Sequence, residues 1–105
     1  SADTIISGGT NIYPQEIDDV LLAHQSVAEV CCIGVPNEEW GEEVKAVINL
    51  ESGSDEDAVR KELVQLAEEK LSGFKKPKTY EFWTEELPRL PTGKIQRNLV
   101  KKRFW

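Results

Sequence analysis

Residues 27–50 read VAEVCCIGVPNEEWGEEVKAVINL, and the pattern inside that stretch decides the fold class. From Val27 to Val35 the run is almost continuously apolar, the composition of a strand covered on both faces. PNEEWGEE interrupts it with proline, glycine and acids and reads as a loop. Val44, Ala46, Ile48 and Leu50 then alternate with Lys45, Val47 and Asn49, the period of a second strand with one face drier than the other. Two such runs joined so briefly are expected to pair antiparallel.

Towards the N-terminus, DTIIS reads as a short strand that GGTN breaks. Pro14 suits the first turn of a helix, where its missing N–H costs nothing. Ile17, Val20, Leu21 and His24 follow at helical spacing as one stripe, with Glu16, Asp18 and Asp19 near the helix's positive end. His24, the only histidine, falls at the far end of that helix, a place for a helix-terminal residue rather than a catalytic base. Towards the C-terminus, ESGSDEDA is a turn into a helix capped by Ser54, with Asp57 in the capping-box position. Val59, Leu63, Leu66, Ala67 and Leu71 form its buried stripe. SGFKKPK is a basic loop, TYEFW a third main strand, and residues 95–103 a short terminal helix. The expected fold is α+β: a small three-stranded sheet with an additional short N-terminal strand, packed by two to three helices.

The 105 residues fit one domain. No apolar run reaches the roughly 20 residues of a membrane helix, and no basic-then-apolar leader precedes the first strand. The abrupt opening, SADTIISGG, reads as a piece cut from a longer protein. Cys31 and Cys32 are neighbours on a strand and point to opposite faces, so a mutual disulfide is not expected; without further cysteines or a histidine cluster, neither is a metal site. Buried, reduced thiols in a cytoplasmic protein are the expectation. Residues 1–69 carry 16 acidic and 3 basic side chains, net −13, whereas residues 70–105 carry 3 and 10, net +7. The basic third would suit nucleic acid, a phosphorylated cofactor, a neighbouring acidic domain, or solvent alone.

Four segments could carry chemistry. ISGGTN is glycine-rich but lacks the dinucleotide-binding pattern, and Gly93-Lys94 lacks the Walker pattern because Pro88 and Ile95 stand where glycine and Ser/Thr are required. SGFKKPK sets Phe74 beside Lys75, Lys76 and Lys78, a mix that stacks a base and neutralises phosphates, or else is a core ring beside solvated lysines. Trp40 is a large ring in an otherwise acidic loop. In PRLPTGKIQR, Pro91 fixes φ, Thr92-Gly93 makes a tight turn and Lys94 stands at its end. A lysine so held is a mobile point charge for phosphate or carboxylate oxygens, and Arg97, three residues on, could anchor the loop. Read locally, a plain turn is as good an account.

Taken together, SGGTNIYPQEID, GVPNEEWGEEVKAVI and FKKPKTYEF…LPRLPTGKIQR resemble, in order and spacing, the C-terminal domain of the AMP-forming acyl-CoA synthetases in the adenylate-forming enzyme superfamily. The resemblance spans essentially residues 1–105. It implies a mobile lid domain whose large N-terminal adenylation domain, absent here, belongs to the same polypeptide. That domain binds ATP with its Mg2+ and a small-molecule carboxylic acid, fatty or aromatic. An acyl-adenylate forms with release of pyrophosphate, the small domain rotates, and coenzyme A displaces AMP. By resemblance Lys94 serves the first step as the catalytic lysine. By the same resemblance Gly9 lines the pantetheine passage, and Trp40, Phe74, Lys75 and Lys76 match positions that contact the coenzyme A nucleotide in some relatives. The hinge residue of relatives, Asp or Lys, is replaced by Ala2, with Asp3 following. The isolated chain should then be inactive. A free-standing coenzyme A or nucleotide-binding module is the alternative, and nucleic-acid binding fits the charge without fitting the motifs.

Overall fold

The computed structural model describes residues 2–105. In chain order the elements are β1 (Ile5–Ser7), β2 (Thr10–Ile12), α1 (Pro14–Leu22), β3 (Val27–Asn37), β4 (Gly41–Leu50), α2 (Glu56–Lys70), a 3-10 turn (Gly73–Lys75), β5 (Thr79–Trp83) and α3 (Arg97–Lys102). The fold is α+β, as the periodicities indicate. β3 and β4 form its long antiparallel pair, from Val27 opposite Leu50 to Asn37 opposite Gly41. The pair is longer than the sequence suggests, because Pro36 and Asn37 continue β3 and Gly41, Glu42 and Glu43 begin β4, which reduces the connecting loop to residues 38–40.

The sheet has five strands in the order β2-β1-β4-β3, with β5 also on β4. β5 runs parallel to β4, because the α2 crossover carries the chain back before the strand begins. The additional N-terminal strand is a hairpin of two. Gly8 and Gly9 have φ of 56° and 80°, so both central positions of a two-residue turn adopt the left-handed region that a type I′ hairpin requires. GGTN therefore reverses the chain into β2 instead of only ending β1.

Both faces of β3–β4 are covered. On one side Ile17 and Leu21 of α1 and Val59, Leu63 and Ala67 of α2 pack with Cys32, Val44, Ala46 and Ile48. On the other, Leu87, Val100, Ile95 and Phe104 pack with Cys31, Ile33, Val35 and Val47. The adjacent cysteines thus enter different cores, buried and unbridged. α2 is capped by Asp55, whose carboxylate accepts the Ala58 N–H at 3.2 Å. The Ser54 cap is corrected accordingly: its hydroxyl donates to the Glu51 carbonyl at 2.6 Å and closes the preceding turn.

β3 is an edge strand, and its outer edge is where the two layers are tied. Opposed antiparallel residues alternate, so Val30, Cys32, Gly34 and Pro36 turn their backbone groups away from β4. Pro36 has no N–H to satisfy. The Gly34 carbonyl accepts from the Trp105 indole at 2.9 Å. At Cys32, the N–H donates to Asp18 of α1 at 2.8 Å and the carbonyl accepts from Arg97 of α3 at 2.8 Å. Asp18 and Arg97 close the ring with an ion pair at 2.9 Å. Asp18 stands at the i+4 position of the stripe Pro14-Ile17-Asp18-Leu21, and so is buried with it. Burial pushes its carboxyl above the usual carboxylate range, and the Arg97 cation pulls it back.

Removing Arg97 leaves a buried carboxylate without its cation. Arg97→Ala is expected to cost about 3–5 kcal/mol in urea unfolding at pH 7. The carboxyl also sets a pH dependence. A folded-state value raised above 3.8 means that the folded chain holds the proton more tightly than the unfolded one. Stability from that group is fully present below the unfolded value and is lost as pH rises through the folded one. The difference in unfolding free energy between the wild type and Asp18→Asn should fall as pH is raised from 3 to 7; a flat difference would contradict the assignment.

Candidate functional site

Residues 87–97 form a small hairpin with a fixed shape. The Gly93 N–H donates to the Leu90 carbonyl and the Leu90 N–H to the Lys94 carbonyl, each at 2.8 Å, while Arg89 and Ile95 form a bridge. Gly93 has φ of 94° and supplies the left-handed residue that follows the turn in a three-residue hairpin loop. Pro91 presets the first turn residue. Both ends of this hairpin are fastened to β3: Arg89 to Glu29 at 2.7 Å, and Arg97 to Asp18 and Cys32 as above. Lys94 between them is exposed, and no hydrogen bond or ion pair engages its ammonium among the described residues. It borders two depressions, one with Leu90, Asn98 and Leu99, the other with Gln15, Leu22 and Val30. Leu22, Leu90 and Leu99 are themselves 50%, 41% and 41% exposed, so the cation stands among uncovered apolar side chains.

A second cluster forms around the β1–β2 turn. The Gly8 N–H donates to the Trp40 carbonyl at 2.9 Å. Trp40 is held by Asn37, whose side-chain oxygen accepts the N–H groups of Glu39 and Trp40 at 2.9 and 2.7 Å. Its ring meets Phe74 edge-on with centroids 5.0 Å apart. Phe74 is half-buried on the first core and lies directly beneath Gly8, where a β-carbon would come within 2.7 Å of the ring. Gly9 faces open space, with nothing within 4 Å of the β-carbon position. Lys75 pairs with Glu16 at 3.1 Å and Lys76 with Glu68 at 2.9 Å, so both predicted phosphate-facing lysines already hold carboxylates.

The structure therefore brings Trp40 and Phe74 together at Gly8, with Gly9 the next residue of the same turn and Lys75 and Lys76 following Phe74 in sequence. Lys94 lies in a separate cluster that shares none of these residues. Other groups are set aside by their surroundings. Burial pushes the Cys31 thiol up to about 12 and Cys32 well above its ordinary value, so neither is a nucleophile near neutral pH. His24 accepts the Ser26 N–H on Nδ1 at 3.0 Å and meets Glu62 through Nε2 at 2.6 Å, a bridge between α1 and α2. Among the described residues no group of three His, Cys, Asp or Glu could hold a metal ion, and no helix is long and apolar enough to cross a membrane. The sequence reading missed Asp18, Glu29 and Arg89. The signal was present for two of them: Asp18 completes an apolar helical stripe, and Glu29 is the charge inside an apolar strand.

Residues 16–94 match the AMP-binding enzyme C-terminal domain, and the chain belongs to that family. It is 40% identical over 103 residues to the fatty acid–acyl-carrier-protein ligase ScoC of Streptomyces coeruleorubidus, covering 98% of this chain and 19% of that protein. It is 44% identical over 102 residues to the 2-succinylbenzoate–CoA ligase of Listeria monocytogenes, covering 97% of this chain and 21% of the ligase. A fatty acyl CoA synthetase structure from Mycobacterium tuberculosis superposes with a TM-score of 0.85 at 38% identity, over 98% of this chain and 20% of that one. The chain thus spans about a fifth of the length of these relatives.

The two glycines should respond differently. Gly8→Ala both strains a left-handed residue and drives a methyl into Phe74, whereas Gly9→Ala meets strain alone, about 1–2 kcal/mol. Thermal unfolding should show a larger loss for Gly8→Ala, accompanied by a tryptophan fluorescence change as the Trp40–Phe74 contact opens. Equal losses with unchanged fluorescence would mean that the ring has room to move.

Proposed function

We propose that residues 1–105 are the mobile C-terminal lid domain of an AMP-forming acid–thiol ligase, an acyl-CoA synthetase of the cytoplasm, and that Lys94 is the residue it contributes to adenylation. The carrying observation is the exposed, unengaged Lys94 ammonium on a hairpin whose two flanking arginines are both tied to the sheet. A cation meant for an internal partner would have one. The uncovered Leu22, Leu90 and Leu99 around it suit a surface that docks against another domain, here the large adenylation domain of the same polypeptide. The family and the names of its relatives support the reaction class: carboxylic acid, ATP and a thiol acceptor give a thioester, AMP and pyrophosphate.

As the carboxylate oxygen attacks the α-phosphorus, negative charge builds on the phosphate oxygens and pyrophosphate departs. A preorganised cation aimed at those oxygens stabilises that charge more than the ground state. The lysine arrives on a turn at the domain's rim, so its charge enters and leaves the site with the domain. Magnesium would accompany ATP and be held by the large domain. The Gly9 face serves the second step. Gly9 leaves backbone open for the pantetheine arm, and Trp40 and Phe74 offer a ring surface to the coenzyme A nucleotide. Lys75 and Lys76 take its phosphates by exchanging Glu16 and Glu68. The isolated chain, without ATP and acyl pockets, should not turn over. Turnover-free but tight coenzyme A binding by this chain would favour a free-standing binding module.

In the full-length enzyme, Lys94→Ala should slow pyrophosphate release without a thiol acceptor by about 10²–10³. It should leave thioester formation from supplied acyl-adenylate near the wild-type rate. Gly9→Leu should do the reverse. Because φ at Gly9 is 80°, any side chain strains the turn, so Gly9→Ala is the control for strain without bulk. Equal slowing of both steps by Lys94→Ala would make the lysine structural and sink the assignment.

A further inference from the structure

We propose that Glu29 and Arg89 form the positioning device that sets the place of Lys94, and that Arg89 acts on adenylation only through that lysine. The proposal rests on the Lys94 reading above and deepens it. Glu29 lies on the second face of β3 with its side chain only 9% exposed, and each carboxylate oxygen is engaged. Oε1 accepts the Leu87 N–H at 2.9 Å, while Oε2 accepts Arg89 Nε at 2.9 Å and Nη2 at 2.7 Å. The remaining arm of the guanidinium, Nη1, donates to the Gly93 carbonyl. That carbonyl belongs to the same peptide unit as the Lys94 N–H. One planar, rigid group therefore connects a carboxylate of the sheet to the peptide plane from which the lysine departs.

The backbone bonds of the hairpin cannot do this alone. Leu90 with Lys94 and Gly93 with Leu90 shape the turn, but both bonds lie within it and leave its orientation against the sheet open. Arg97 fastens the chain three residues after Lys94, and Arg89 fastens it on the other side. With Nε and Nη2 held on Glu29, the plane of the guanidinium leaves Nη1 little choice of direction. A lysine at position 89 would keep the charge opposite Glu29 but could not reach both acceptors in that fixed geometry. Position matters because an offset of about 1 Å in a group that must meet a transition state costs about 10²-fold in rate. The competing account is that Glu29 and Arg89 merely stabilise the domain. It predicts losses that do not depend on Lys94.

The test is a double-mutant cycle in the full-length enzyme with Arg89→Ala, Lys94→Ala and the pair. Pyrophosphate release and thioester formation from supplied acyl-adenylate are measured separately. Arg89→Ala should lower kcat for adenylation about 10–100-fold, with KM for ATP and acid changed less than about threefold and thioester formation unchanged. In the Lys94→Ala background the same substitution should cost less than about twofold. Arg89→Lys retains the ion pair with Glu29, carries the cycle should Arg89→Ala fail to fold, and is expected to fall short in the same way. Equal losses in both backgrounds, or full activity of Arg89→Lys, would overturn the proposal. If Lys94→Ala alone slows both half-reactions equally, the reading beneath it fails, and the proposal with it.

Discussion

The buried pair of Asp18 and Arg97 is the constraint on which the rest of the domain depends. β3 has a free edge at Cys32, with an N–H and a carbonyl turned away from the sheet. Left unpaired under the helices, each would cost the desolvation of a backbone polar group. Asp18 takes the donor, Arg97 the acceptor, and the two opposite charges then neutralise each other at 2.9 Å. Neither charge would be tolerable there alone. The pair joins α1, on one face of the sheet, to the start of α3, on the other. It also closes an edge that would otherwise invite another strand.

That tie explains how a short, irregular segment is held in one shape against the sheet. Between Leu87 and Arg97 there is a hairpin with a bridge and a turn, yet both of its arginines are grounded on acids of buried or nearly buried position. The frame is stiff and the lysine is left out of it. The second cluster is built by the opposite device, an absence of side chain. Gly8 is compelled by Phe74 beneath it, and Gly9 is open above. One face offers charge and the other offers space, which are the needs of the two half-reactions proposed for this family member.

Much of the candidate site was legible locally. The turn at Pro91-Thr92-Gly93 and the exposed Lys94 follow from residue types, and the structure keeps them. The role proposed for that lysine was not legible from the turn, because a plain turn has the same composition; the proposal came from the resemblance of three motifs in order. Glu29 and Asp18 broke apolar patterns and so carried a signal of burial, but their partners lie far along the chain, 60 residues on in the case of Glu29 and Arg89. Nothing in the spacing of a sequence pairs such charges. The Glu16 partner of Lys75, 59 residues away, was hidden for the same reason.

Hydrophobic periodicity placed β3, β4, α1 and α2 and most of their buried residues, because each of those elements buries a face and must repeat accordingly; it overcounted Val20, His24 and Leu66, which are only half-buried, and passed over the buried Asp18. Turn chemistry was enough for the tight turn before Lys94, though not for the bridge of Arg89 with Ile95 that makes it a hairpin. The second short strand was not, since Thr10–Ile12 has too few residues to show a period and exists only by pairing with β1. Nor was the choice between Ser54 and Asp55 as a cap, which depends on which side chain the preceding turn consumes. The parallel direction of β5 came from the α2 crossover. Tertiary structure alone decided how the charges are matched. The energy of an ion pair depends on burial and distance in space, and a sequence specifies neither until the chain has folded.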